Sequence, residues 1–356
     1  MRPVAPKGVS VSSLRVKRKG SVLSITLNRP EALNTLNLDA VRQIRRAIDE
    51  GAASDRVRLI LLKSAGGRAF CAGGDIKFMS QAVRDREVDR ALRFLREEYD
   101  LDLLIHGLPK TVVVMAHGIT MGGGLGLAAG ADLVLATEQT RMAMPETRVG
   151  FFPDVGATGW MFAKCPPGFP EFLGLTGYEM RGAECVRLGF ADCMIPSAQL
   201  DEAIAVIERA SPGLPREKER ATKVIRALLE PVIENDIPSN PDMDQWVREY
   251  FQGKLSVPEL LNDLRQCSIQ GTLRDDVFAR LSERSPTGVV LTLDLLRHNE
   301  CRPMESVYQT DIEAARFMLT HHDFAEGVRA RLLDKDDNPQ WRPDRFENVG
   351  RLDLGL

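Results

Sequence analysis

The chain has 356 residues, 44% of them hydrophobic and 27% charged, which is enough to bury a large core in an enzyme-sized protein. Its 47 Lys and Arg against 50 Asp and Glu leave a net charge of −3, and the one basic cluster (Arg15, Lys17, Arg18, Lys19) is too weak for a dedicated nucleic-acid binder. No apolar run approaches the roughly 20 residues needed to span a bilayer.

The N-terminus lacks a secretory apolar segment. Residues 1–30 carry basic residues and no acid before Glu31, so a mitochondrial presequence is the alternative to the expected cytoplasmic location. Six cysteines without C-x-x-C spacing point to a reduced, intracellular protein, with Cys71 as a small buried residue.

Val22–Leu27 alternates and is β-branched, which predicts a strand ended by Asn28-Arg-Pro30. The basic cluster before it reads as the charged face of a first strand or its lead-in. Leu38, Val41, Ile44, Ala47 and Ile48 predict a helix over 38–50, closed by Gly51. A second strand, Val57–Leu62, runs into a loop ending Gly73-Gly74-Asp75. A charged helix at 84–105 and a strand at 111–116 follow. After Gly122-Gly123-Gly124 come a small-residue helix at 121–130 and the strand Asp132–Ala136. This alternation predicts a mostly parallel sheet with helical crossovers. From 198 to about 335 nearly everything reads helical, with Ser285 or Thr287 as one N-cap. The expected organisation is an α/β core over 15–200, a helical region over 201–345 and a tail over 346–356.

Two features carry chemistry. Gly73-Gly74 and Gly122-Gly123-Gly124 are tight turns; brought to one end of a sheet, their N–H groups would converge on one oxygen as an oxyanion hole. Glu146 and Asp154 stand eight residues apart in apolar, Gly/Pro-rich sequence, where a carboxylate is costly unless paired or functional. A structural carboxylate beside a tight connection is the plainer reading. Neither loop is a dinucleotide or P-loop motif, no G-x-S-x-G elbow is present, and no histidine pair has metal spacing. His117 reads as a hydrogen-bonded structural residue, and His321 and His322 as solvated or capping ones. Glu98, in a charged helix, reads either as a surface carboxylate or, from the apolar Phe94, Leu95, Leu101, Leu104 and Ile105, as a group near a buried face that could orient Arg148, Glu146 or a substrate hydroxyl.

Asn28–Asn34, Phe70-Cys-Ala-Gly-Gly-Asp-Ile76, Gly118–Gly124 and Met144-Pro-Glu146 together resemble the crotonase (enoyl-CoA hydratase/isomerase) superfamily. Within it the chain is similar to the 3-hydroxyisobutyryl-CoA hydrolase branch, through Met144–Gly156, Phe94–Tyr99, Ser285-Pro-Thr287, His322–Ala330 and Asp334–Trp341. The resemblance implies a ClpP/crotonase-like core of repeated ββα units with a helical C-terminal region. It also implies hydrolysis of a short 3-hydroxyacyl-CoA thioester, with 3-hydroxyisobutyryl-CoA of valine catabolism as the substrate. By the same resemblance, the N–H groups of Gly74 and Gly123 hold the thioester oxygen, Glu146 and Asp154 are the catalytic acids, and Glu98 contacts substrate together with Gly123, Glu146 and Asp154. Gly126 stands where hydratases carry a first glutamate, which counts for hydrolysis. Ala157-Thr-Gly159 departs from the glycine-richer pattern of the branch. Hydratase/isomerase chemistry and broader thioesterase activity stay open. No metal and no other cofactor is expected, since CoA arrives with the substrate. The expected partner is the acyl-CoA, with no nucleic acid and no membrane, in a monomer or small homo-oligomer.

Overall fold

Apolar runs too short for helices pair into two sheets in a computed structural model of the chain, which describes residues 13–267, 272–352 and 354. In chain order the strands are β1 (Leu14–Lys19), β2 (Val22–Leu27), β3 (Leu59–Ser64), β4 (Ala69–Cys71) and β5 (Thr111–Met115), then β6 (Ile119–Met121), β7 (Leu133–Ala136), β8 (Arg141–Ala143), β9 (Met180–Arg181) and β10 (Cys193–Met194). The larger sheet has the order β1-β2-β3-β5-β7-β10 and the smaller β4-β6-β8-β9. All pairs are parallel except the antiparallel β1/β2 and β8/β9. Three passes of the chain, β3/β4, β5/β6 and β7/β8, each lay one strand in the larger sheet, the next in the smaller, and then return by helix. That is the ββα repeat of a crotonase-like core.

The helices of this half are α1 (Leu38–Ala53), α2 (Ile76–Arg84), α3 (Val88–His106), α4 (Gly123–Ala129), α5 (Ala157–Lys164), α6 (Phe169–Thr176) and α7 (Ala183–Arg187). The C-terminal half is helical, as its pattern requires: α8 (Leu200–Ala210), α9 (Lys218–Leu229), α10 (Pro241–Phe251), α11 (Val257–Gln266), α12 (Thr272–Ser282), α13 (Pro286–Asn299), α14 (Met304–Thr320) and α15 (His322–Val328). Ser285 is the N-cap of α13, its hydroxyl accepting from Gly288 N at 2.9 Å. Val289, Leu291, Leu293 and Leu296 of that helix are buried within the chain itself, against α5, α6 and α14. One hydrophobic cluster runs from Leu14 to Val328 through both halves. Among the described residues no helix is long and apolar enough to cross a membrane.

Local expectations need three corrections. Gly51 does not end α1; the helix continues to Ala53, and Gly51 is there because a Cβ would come within 2.6 Å of the Leu23 side chain. The charged helix expected at 84–105 is α3, which starts only at Val88; a separate helix, α2, ends at Arg84, and Arg86 between them takes a φ of 61°. Nor does the glycine turn follow the strand at 111–116 directly. The three residues of β6 intervene in the smaller sheet, too short to announce themselves by alternation.

Candidate active site

The smaller sheet brings the two glycine loops together. Strands β4 and β6 are parallel neighbours, so the loops that follow them leave from the same end. A Cβ added at Gly123 would lie 3.3 Å from Gly74 N, and one at Gly73 would lie 3.8 Å from Gly123 N. Gly73 has a φ of 110° and Gly122 one of 49°, values that favour glycine. Among the described residues no backbone carbonyl accepts from the N–H of Gly74 or Gly123. The two N–H groups therefore lie near one another without a backbone acceptor.

Three carboxyl groups face this corner, and all line a cavity of about 710 Å³. Glu98 descends from α3 onto both glycines: its Oε2 is 3.3 Å from the point a Cβ would take at Gly74, and its Oε1 would collide with one at Gly123. Glu146 opens a single 3-10 turn after β8 and lies 2.8 Å from the corresponding point at Gly122. Asp154 is fixed from behind by Tyr99, whose hydroxyl donates to its Oδ2 at 2.7 Å. Glu98, Glu146 and Asp154 are each at most 8% exposed.

Burial without a nearby cation sets the protonation of these groups. It drives Glu146 well above the usual carboxylate range, with Asp154 and Glu98 adding like charge. Glu98 is raised by burial and then by Asp154. Asp154 is also raised by burial, to about 6, while the Tyr99 hydrogen bond holds it down. Glu146 and Asp154 titrate as a pair, and burial favours keeping a proton between them.

The C-terminal helices clamp the segment that joins the two acids. A Cβ at Gly150 would collide with the carbonyl of Asp323, and one at Gly327 with Val149. At Gly288 of α13 it would come within 2.5 Å of Phe151 O. Val155 holds a φ of 51°, costly for a β-branched residue. Its carbonyl accepts from Trp160 Nε1 at 3.1 Å and Tyr308 Oη at 3.3 Å, and Gly156 N donates to Asp311 Oδ2 at 2.8 Å. Asp323 in turn accepts from Ser285 Oγ at 2.5 Å and from Arg342 N at 2.8 Å, tying α13, α15 and the C-terminal arm to this loop.

Other expected residues fall elsewhere. Arg148 does not meet Glu98; it faces Glu283 at 3.2 Å and Asp337 across the cavity mouth, because its 3-10 turn points it outward. His117 Nδ1 is 2.9 Å from Thr137 Oγ1, His321 caps α15, and His322 reaches Gln340 O, all structural positions. Sequence reasoning did not single out Tyr99, Asp102, Tyr308 and Asp311. Their signal was helical spacing: Asp102 is one turn from Glu98, and Asp311 follows Tyr308 by three residues.

The pattern of the enoyl-CoA hydratase/isomerase family matches residues 22–354. The chain belongs to that family. It is 34% identical over 347 residues to human mitochondrial 3-hydroxyisobutyryl-CoA hydrolase, covering 95% of this chain and 86% of the relative. The mouse mitochondrial 3-hydroxyisobutyryl-CoA hydrolase is likewise 34% identical over 349 residues, with 95% and 86% covered. Among solved structures, a carnitinyl-CoA dehydratase from Mycobacterium thermoresistibile superposes with a TM-score of 0.86 at 29% identity, over 97% of this chain and 96% of that one. Membership in the crotonase family implies an acyl-CoA-type substrate, and the homology places the chain on the hydrolase branch. The cytoplasmic location expected from the sequence is overturned, since the hydrolases it matches are mitochondrial. Part of the basic, acid-free stretch weighed as a presequence, residues 1–12, lies outside the described residues.

Proposed function

We propose that this protein hydrolyses the thioester of 3-hydroxyisobutyryl-CoA to 3-hydroxyisobutyrate and CoA. The observation that carries the reading is the convergence of the Gly74 and Gly123 N–H groups with Glu146 and Asp154 in one cavity, while position 126 offers no side chain for a hydratase glutamate. The printed activity of the human and mouse relatives supports the same choice.

In this reading the thioester oxygen sits between the two glycine N–H groups, where negative charge grows as the carbonyl is attacked. Losing one such donor costs about 3–4 kcal/mol of barrier in other enzymes. Glu146 and Asp154 work as a pair sharing one proton. The ionised member takes a proton from the attacking water, and the protonated member gives one to the departing thiolate. Direct attack by Glu146 to give an anhydride is the alternative route. In the same reading Glu98 faces the acyl group, and Asp154, which lines the same cavity, meets the 3-hydroxyl.

Glu146→Gln tests the assignment: turnover is lost while binding of the CoA ester persists, and near-normal hydrolysis would remove Glu146 from the chemistry. Oxygen-18 from solvent entering the enzyme carboxylate in a single turnover would select the anhydride route. A second reading, water addition or elimination, has the carnitinyl-CoA dehydratase likeness in its favour. It requires a change in 2-enoyl-CoA absorbance without thiol release. For assembly we propose a monomer or small oligomer, because α13 buries its apolar face within the chain; a light-scattering mass near six chains would contradict this.

A further inference from the structure

Asp102 lies one helical turn after Glu98 on α3 and is fully buried. Neither of its carboxyl oxygens has a hydrogen-bond partner, and Oε1 of Glu98 has none either. Leaving such atoms unpaired is costly, so two adjacent unpaired carboxyls call for a cause. The room for them comes from α4, which has glycine at both contact points. A Cβ at Gly123 would collide with Glu98 Oε1, and one at Gly126 with Asp102 Oδ2. Glycines three residues apart on α4 thus receive acids four residues apart on α3, the spacings that put side chains on one helix face.

Glu98 has two distinct sides in this arrangement. The group lines the cavity, and Oε2 lies toward Gly74; Oε1 is sealed against Gly123. Asp102 is the next polar group along the same face of α3. The groups that influence it or feel it electrically are Glu98, Asp154, Cys71 of β4 and Tyr308 of α14, and none is a cation. The arginines that meet α3 from α1, Arg42 and Arg45, bind Glu97 and the Asp100 carbonyl on its other face. Burial first, and like charge second, raise both Glu98 and Asp102 well above the usual carboxylate range, which favours their acid forms.

We propose that Asp102 is a positioning residue: its carboxylic acid donates to the sealed oxygen of Glu98, directly or through one water, and so fixes Glu98 as a neutral third donor to the thioester oxygen. The two glycine N–H groups are rigid, and a carboxylate at Glu98 would oppose the charge they stabilise. The acid form adds to it. Hydrogen bonds in a chain polarise one another, so the group behind strengthens the donor in front. No proton is consumed, because Glu98 and Asp102 return to the same form after each turnover. This inference rests on the hydrolase reading for the reaction but not for the carbonyl contact it describes.

The test is isotope-edited infrared spectroscopy of 3-hydroxyisobutyryl-CoA labelled with carbon-13 at the thioester carbonyl, bound to protein in which Glu146→Gln blocks turnover. The carbonyl stretch should move to lower frequency on binding. Asp102→Ala should return part of that shift, and Asp102→Asn, which keeps a donor, should restore it. In the parent background Asp102→Ala should lower kcat about tenfold, less than loss of a direct oxyanion donor, with KM within about twofold. Asp102→Asn should recover most of kcat. A frequency unchanged in Asp102→Ala, or an equal loss in the Ala and Asn variants, would overturn the proposal. Should Asp102→Ala not fold, Glu98→Gln and Glu98→Leu decide it: the amide keeps the frequency shift and leucine reduces it, whereas equal shifts in both contradict it. Failure of the hydrolase reading would appear separately, as bound and polarised thioester with no thiol release in the parent protein.

Discussion

The Tyr99 hydroxyl donates to Asp154 Oδ2 at 2.7 Å, and that bond, together with a backbone hydrogen bond, offsets part of the burial that raises Asp154 to about 6, while burial pushes the neighbouring Glu146 and Glu98 well above the carboxylate range. Of these buried carboxyls, Asp154 is thus the one best suited to act as a base and Glu146 the one best suited to hold a proton.

Tyr99→Phe should therefore move the acid limb of the rate profile. Removing the donor raises the Asp154 pKa, so the ionised form is lost at a higher pH. A change of about one unit, or roughly 1.4 kcal/mol, is the expected size. The variant's kcat/KM relative to the parent should fall severalfold more at pH 6 than at pH 8. A pH-independent ratio would mean that Asp154 is not the group titrating on that limb.

Gly150→Ala probes the clamp. Gly150 has a φ of 71°, and a Cβ there would run into the Asp323 carbonyl of α15. The change should cost about 1–3 kcal/mol of stability in denaturant unfolding. It should also lower kcat, because Glu146 and Asp154 flank the displaced segment. Loss of stability with kcat unchanged would show that α15 supports the fold without aligning the acids.

Much of this site could be read from the chain alone. The glycine loops, Glu146 and Asp154 stand out because glycine runs and carboxylates in apolar sequence are locally anomalous. Tyr99 and Asp102 do not. They sit in a helix whose exposed side carries Arg93, Arg96, Glu97 and Asp100, and a single acid among them looks like more of the same. Only the packing of α3 against α4 and α14 distinguishes the buried members. The smaller sheet was hidden for a related reason: β4, β6 and β8 are three residues each, below the length at which period-two alternation can be seen. The clamp on 146–156 was equally invisible, since it depends on glycines meeting helices more than 130 residues away.

Asp311→Asn should change how stability depends on pH. Burial raises the Asp311 pKa in the folded chain, although Gly156 N–H works against it. Between the unfolded value of about 3.9 and the folded one, the unfolded chain gives up a proton that the folded chain keeps, so the folded state loses stability as pH rises. Asparagine can still accept from Gly156 and has nothing to ionise. Its stability relative to the parent should thus increase from pH 4.5 to pH 8 in urea unfolding. A difference that is constant or shrinks over that range would contradict the raised pKa.

Thiol release bears most directly on the hydrolase assignment. The purified protein is mixed with 3-hydroxyisobutyryl-CoA and a thiol reagent while absorbance of the 2-enoyl-CoA is followed in parallel. The account predicts stoichiometric free CoA with no enoyl signal, and loss of that release in Glu146→Gln. Formation or consumption of the enoyl-CoA without free thiol would contradict it.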